Sequence, residues 1–378
     1  MRRIDPVVGA AVVLVVVATV VLDQWLARAE YVFPGGGARI VRGAVVRRDP
    51  PIEAWGASGA RRTGETVQRL DVRTATGTVV AENIVTGSPV SDRIPDVGEE
   101  VLVRIRDLGR ERYATMRDHA RDRWLVRLAG ALGLLVVVVL GRKGARALAA
   151  LVVGLGIVLA FSWAVMTIQG AVMPLTLAAL GATLAATYLI LCGATRKALS
   201  AAGGAFAGIV LSGVLALLVA RVSGLSGLYD QDLAAVRHFS TARVLDFRAL
   251  LVASMLLGTM GVVMDVAIAV ASAVGELARA NPALDARSLR RRGMAVGRKV
   301  MGAMVMALAL AYMGINFGLF LLPHADPALR FADVVGTERV LTEICRLLVG
   351  VTAIVWAVPA TAFLASCLAA GRVAKGAV

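Results

Sequence analysis

Long apolar runs recur along this chain, and their length limits its fold more than any other feature. A bilayer core about 30 Å thick takes roughly 20 consecutive apolar residues as a helix. Eight runs approach or exceed that length: Val7 to Leu22, 124–141, 147–168, 174–193, 202–220, 250–274, 300–322 and 344–369. Charged residues make up 18% of the chain, below the roughly one quarter of a soluble domain, and they gather between the runs. The sequence therefore predicts an all-α polytopic membrane protein of about eight transmembrane helices.

One long segment breaks the pattern. Residues 27–123 are polar, and four stretches in them alternate with a period of two: Ala38 to Arg47, Val67 to Thr74, Thr78 to Ile84 and Glu100 to Arg106. Gly, Pro and Asp punctuate the gaps. Four or five short strands in this length predict a small β-rich barrel of OB or SH3 type. The stretch Arg110 to Arg123 reads as a charged helix leading into the membrane, with Trp124 at the interface. The expected division is an anchor helix over 1–26, the β-rich domain with its helical lead-in over 27–123, a seven-helix domain over 124–369 and a tail over 370–378. No small-residue cleavage site closes the first run, since Asp23, Gln24 and Trp25 follow it, so it reads as an uncleaved anchor rather than a signal peptide.

The net charge of +15 comes mostly from arginine. It is read as a topology signal and not as a nucleic-acid footprint, because the basic residues sit in short links between runs. Arg2 and Arg3; Arg142, Lys143 and Arg146; Arg196 and Lys197; the arginines of 275–299; and Arg372 with Lys375 all fall on one side if there are eight spans. The opposite link 169–173 has neither Lys nor Arg. The positive-inside rule predicts that both termini are cytoplasmic and that 27–123 is extracytoplasmic. An abundance of Ala, Val, Gly and Arg fits a GC-rich bacterial genome, and hence the bacterial cytoplasmic (inner) membrane.

Ionisable groups inside apolar runs carry the functional signal. A carboxylate at the bilayer centre costs about 2.5–3.5 kcal/mol on insertion scales, and Asp265 sits well inside the sixth run. Steps of three and four place Ser254, Gly258, Gly261, Asp265, Ser272 and Glu276 on one helix face. This small and polar stripe reads either as a proton or cation site on a transport path or as a structural carboxylate in a close helix contact. Glu276 also fits an interfacial carboxylate. In the seventh run Gly302, Ala309 and Asn316 share a face, and Gly314 and Gly318 flank Asn316 at GxxxG spacing. Gly258, Gly261, Gly302, Gly314 and Gly318 are expected to pack helices, as are Gly204 and Gly208. Glu343 is expected to be solvated, and Pro359 to kink the last helix.

The three cysteines, Cys192, Cys345 and Cys367, lie in or beside apolar runs and offer no disulfide framework or CxxC site. His119, His238 and His324 have no metal-ligand spacing, so no metal or cofactor is expected. There is no P-loop, GxSxG or HExxH, and enzymatic activity has no positive sign.

The stretch GTMGVVMDVAIAVASAVGELARANPALDARSLRRRGMAVGRKVMGAMVMALALAYMG resembles the core signature of the YibE/F-like bacterial membrane proteins. Gly261, Met264, Asp265, Ala267, Ser272, Glu276, Asn281, Pro282, Gly293, Met294, Gly297, Arg298, Gly302, Met304, Leu308, Ala311, Tyr312 and Gly314 carry it. The order of an anchor helix, a β-rich domain, an Arg142-Lys143-Gly144 loop and an LSGLY segment (Leu225 to Tyr229) extends it over nearly the whole chain. The resemblance implies a permease or efflux role. The chain departs from the pattern at Lys299, where the family usually has Asp. It departs again at Ala303, Val305, Met306 and Ala307, where the family often carries Thr and Asn. A polar path shared by the sixth and seventh helices is therefore partly lost.

Two functional readings follow. In one, the protein transports a small solute or ion, with Asp265 exchanging a proton and Ser272 and Asn316 lining the site. In the other it is a non-transporting scaffold whose outer domain binds an envelope partner. The partners expected are the lipid bilayer, a small solute or ion, and a second copy of the chain or an envelope protein. No nucleic acid is expected.

Overall fold

The computed structural model describes residues 6–28, 31–32, 38–50, 52–55, 61–85, 94–108, 111–168, 171–228, 245–325 and 331–373. His238, Arg2, Arg3 and Lys375 lie outside them. Among the described residues eight helices are long and apolar enough to cross a membrane, matching the eight runs. The chain forms two compact units, Met1–Ala145 and Arg146–Val378. The helix after the barrel falls in the first of these units.

The first unit holds α1 (Pro6–Arg28), seven strands and α2 (Asp122–Leu140). The strands are β1 (Tyr31–Val32), β2 (Ala38–Arg48), β3 (Ile52–Trp55), β4 (Arg61–Thr74), β5 (Gly77–Val85), β6 (Glu100–Leu108) and β7 (Glu111–His119). Five of them close on themselves in the order β2-β4-β5-β7-β6-β2. Every ladder is antiparallel except β5–β7. This connectivity is that of an OB-type barrel. All four expected strands are present.

The expected charged helix over Arg110 to Arg123 is a correction: Glu111–His119 is a strand, and helix begins only at Asp122. Its polar residues hid a period of two. Ala114 is buried and Met116 packs on the core, while Tyr113 and Arg117 face outward. The last barrel strand supplies the pairing that β6 needs. Val41, Val45, Leu70, Val72, Val103 and Ile105 fill the interior. Gly43 allows β2 to cross close over β4, where a Cβ would lie 2.7 Å from the Arg73 carbonyl oxygen.

Charge ties the barrel to its helices. Arg42 of β2 reaches Glu100 at 2.9 Å and the carboxylate of Asp122 at the start of α2. Asp23 of α1 takes Arg123 Nε at 3.0 Å and Arg127 at 3.2 Å, both from α2. A Cβ on Gly130 would collide with Thr19, so α1 and α2 pass closely there.

The second unit contains most of α3 (Arg142–Thr167), then α4 (Val172–Cys192), α5 (Arg196–Val222), α6 (Phe247–Ala280), α7 (Ala286–Ile315), α8 (Phe317–Ala325), α9 (Phe331–Val335) and α10 (Glu338–Val373). Side-chain caps start three of these helices. Thr195 accepts from the Ala198 amide, Asp246 from Ala249 and Asp285 from Ser288. The bonds from Ser288 hold the Asp285 carboxyl below the usual carboxylate range.

Helix α10 is the common partner of α5, α6 and α7. Two glycines of α5 lie directly against its backbone. A Cβ on Gly204 would lie 2.6 Å from the Thr361 Cα, and one on Gly208 2.6 Å from the Ala353 carbonyl oxygen. The GxxxG at 204 and 208 is thus a packing device, as expected. Arg196 caps the contact with a 2.9 Å hydrogen bond to the Leu368 carbonyl. Pro359 lies within α10. At the other end Glu338 accepts from the Ser226 amide and hydroxyl at 2.6 and 2.8 Å, fixing the link that carries Leu225.

The expected packing role of the other glycines is corrected. Among the described residues, nothing lies within 4 Å of where a Cβ would stand on Gly261, Gly302, Gly314 or Gly318, and on Gly258 it would meet only the Tyr312 hydroxyl at 3.3 Å. The glycines that admit α7 are Gly293 against Val274 and Gly297 against Val358. We predict that Gly208→Leu lowers stability by about 3 kcal/mol or more through overpacking. Gly302→Ala should be neutral or raise it by up to about 1 kcal/mol, the helix-propensity gain. Thermal unfolding of the purified protein in detergent reads both.

Candidate functional site

Helix α6 has two unlike faces. Leu251, Met255, Thr259, Val263, Val266 and Val270 are buried against the rest of the bundle. On the other face Gly258, Gly261, Asp265 and Glu276 are exposed and Ser254 and Ser272 half-buried. The polar stripe read from the sequence is therefore a single face, but it turns out of the bundle. The reason is competition for the core: Val, Leu and Met fill space between helices, and glycine with a carboxylate cannot.

Asp265 makes no hydrogen bond or ion pair among the described residues. It is within electrostatic reach of Tyr188 on α4. Tyr188 is 1% exposed, and its hydroxyl donates to the Met264 carbonyl oxygen at 2.9 Å. This bond pins α4 to α6 one residue from the carboxylate. Sequence reasoning missed Tyr188, since a lone tyrosine in an apolar run carries no periodic signal. An exposed carboxylate at mid-span cannot rest against lipid without a cost of about 2.5–3.5 kcal/mol or more, so this face needs water or protein against it.

The remaining candidates do not join Asp265. Ser272 donates to the Ile268 carbonyl of its own helix and is satisfied there. Glu276 is exposed near the end of α6. Asn316 is separated by the antiparallel register of α6 and α7. Gly293 lies against Val274 and Gly297 against Val270, so Gly302 is level with Asp265. Asn316 is then near the level of Leu251, about 20 Å further along α6. Asn316 breaks the helix, and its side-chain amide donates to the Tyr312 carbonyl at 3.1 Å.

Around Asn316 a second polar cluster assembles that the sequence did not reveal. Glu343 pairs with Arg346 at 3.1 Å, their side chains only 21% and 20% exposed. Arg346 also reaches the Ser254 hydroxyl at 3.4 Å. Tyr312 lies within electrostatic reach of both Glu343 and Arg346. Glu343 Oε2 and Arg346 Nε are buried with no hydrogen-bond partner among the described residues. The expectation of a solvated Glu343 is corrected: Arg346, one turn further into the run, draws it inward. A cavity of about 200 Å³ opens beside them, lined by Tyr312, Met313, Asn316, Leu319, Glu343 and Leu347 among others. Its walls are almost wholly apolar, formed by side chains such as Met313, Leu319, Phe320 and Leu347. The sequence signal was an Arg and a Glu three residues apart at the start of the last run.

Two variants test this geometry. Tyr188→Phe should cost about 1 kcal/mol and loosen α4 from α6, read as faster hydrogen exchange around residue 264. Arg346→Met should destabilise by about 1–3 kcal/mol by stranding the Glu343 carboxylate. Adding Glu343→Met should restore most of that loss. A double variant no better than the single one would show that the pair is not the unit.

A family model described as YibE/F-like protein matches residues 128–371. No curated protein and no solved structure matches the chain. The matched segment runs from within α2 to near the end of α10 and includes Asp265, Tyr188 and the Glu343–Arg346 cluster. The barrel and α1 lie outside it, so the likeness drawn from the sequence over nearly the whole chain rests on its helical part. With more than half of its length matched, the chain belongs to the YibE/F-like family.

Proposed function

We propose that this integral membrane protein is a permease or efflux-type transporter of the bacterial cytoplasmic membrane, coupled to a proton or cation through Asp265. One observation carries the reading: an unpaired carboxylate stands mid-span on the outward face of α6, level with a glycine of α7. A carboxylate kept free of any basic partner can gain and lose a proton as its surroundings change, whereas one locked in an ion pair cannot. The Glu343–Arg346 pair, which reaches Ser254, forms a second polar station about 16 Å away along the helix axis. By the positive-inside rule both termini are cytoplasmic, and the barrel stands on the outer side.

A scaffold reading draws on a different feature. Val80 and Ile84 are exposed on β5, beside Tyr113 of β7. With Glu82 between them, these side chains make a mixed apolar and acidic patch on the barrel wall, which suits an envelope protein partner. The free state of Asp265 weighs against this reading, because a purely structural carboxylate would be bonded to a neighbouring helix.

Proteoliposomes holding the full chain, loaded with a panel of small solutes and cations under an imposed pH gradient, separate the two. Transport predicts flux that responds to the gradient and falls at least tenfold in Asp265→Asn, with insertion and folding intact. Absence of flux for every solute favours the scaffold. Flux unchanged by the substitution removes Asp265 from the mechanism.

A further inference from the structure

Where the barrel meets α2 there is a cleft of about 600 Å³, lined by Gly98, Glu99, Glu100, His119, Arg121, Trp124 and Arg127 among others. It lies at the first turn of a membrane-spanning helix. Trp124, in that turn, is 72% exposed, as an interfacial tryptophan is. Arg127 stands 6.0 Å over its ring.

The cleft carries both signs of charge. Arg121 is exposed, and its guanidinium makes no hydrogen bond or ion pair among the described residues. Arg127 leaves part of its guanidinium unused after one contact to Asp23. On the acidic side, Glu99 accepts from the Asp96 amide and lies 3.4 Å from His119. Glu100 contacts Arg42 and Arg123. A simple anion would meet two carboxylates here, and a simple cation three arginines, Arg121, Arg123 and Arg127. A ligand bearing a phosphate and an ammonium a few ångströms apart meets neither conflict. Below the cleft Leu125, Leu128 and Leu132 are exposed on one face of α2, continuing the surface in the direction an acyl chain would take.

We propose that this cleft binds a zwitterionic phospholipid whose headgroup joins a phosphate to a primary ammonium. The phosphate lies on Arg121 and Arg127, the ammonium on Glu99 and Glu100, and Trp124 sits at the glycerol level. A primary ammonium donates hydrogen bonds to carboxylates and a trimethylammonium cannot, so the site distinguishes ethanolamine from choline headgroups. This inference does not depend on transport by Asp265; it requires only that α2 spans the bilayer.

Delipidated full-length protein in detergent, titrated with phosphatidylethanolamine, phosphatidylcholine or phosphatidylglycerol of identical acyl chains and read by native mass spectrometry, tests it. The ethanolamine lipid should bind about tenfold more tightly than either other lipid, the worth of one charge-assisted hydrogen bond. Arg121→Ala combined with Glu99→Gln should erase that preference with no change in thermal midpoint. Equal or tighter binding of phosphatidylglycerol, or a preference that survives in the folded double variant, overturns the proposal. Free phosphoethanolamine displacing the lipid at equal concentration would show that the acyl chains play no part, and overturns it too. If the double variant does not fold, the order of the three lipids on the wild type decides.

Discussion

The second unit depends on the close approach of α5 and α10. Within a bilayer there is no hydrophobic gain from bringing two apolar helices together, because lipid tails solvate them equally well. What remains is dispersion between closely fitted surfaces and the few polar bonds that survive. Gly204 and Gly208 remove the side chains that would hold the axes apart, and Thr361, Ala353 and Ala357 fill the space. Long antiparallel contact of this kind gives α6 a fixed surface to pack on. Gly293 and Gly297 then bring α7 against α6 and α10 by the same means.

The position of Asp265 follows from that packing. Because α6 turns its Val, Leu and Met face toward α5 and α10, its glycine and carboxylate face is left outward. The register set by Gly293 and Gly297 puts Gly302 of α7 level with the carboxylate. At the other end of α6 an Arg346–Glu343 pair occupies the polar space by Ser254. One helix therefore presents two chemically different stations: a free acid at mid-span and a paired, partly unsatisfied cluster near its beginning.

In the first unit the controlling interaction is ionic. Asp122, Arg42, Glu100, Arg123, Asp23 and Arg127 form a chain of contacts that alternates in sign and links the barrel wall, α1 and α2. Opposite charges at the edge of a bilayer are less screened by water than on an open surface. The network orients the two helices under the barrel, and it leaves Arg121 and part of Arg127 facing the cleft.

Much of this protein was legible in its sequence because hydrophobicity is a local property. The length of each apolar run is enough to demand a spanning helix, so eight helices could be counted without a structure. Alternation of small runs was enough for four barrel strands, and helical spacing put Ser254, Gly258, Gly261, Asp265, Ser272 and Glu276 on one face. Strand β7 escaped notice because its largely polar residues dilute the period of two. What only the tertiary structure decided is which surface of a helix meets which neighbour. Small residues on opposite faces of α5 and α6 look alike in sequence, yet Gly208 touches backbone and Gly261 touches nothing. The separation of Asn316 from Asp265, the reach of Tyr188 to Met264 and the contact of Arg346 with Ser254 all depend on the register between helices. Register between helices is set by the sum of many weak contacts, and no local pattern encodes that sum.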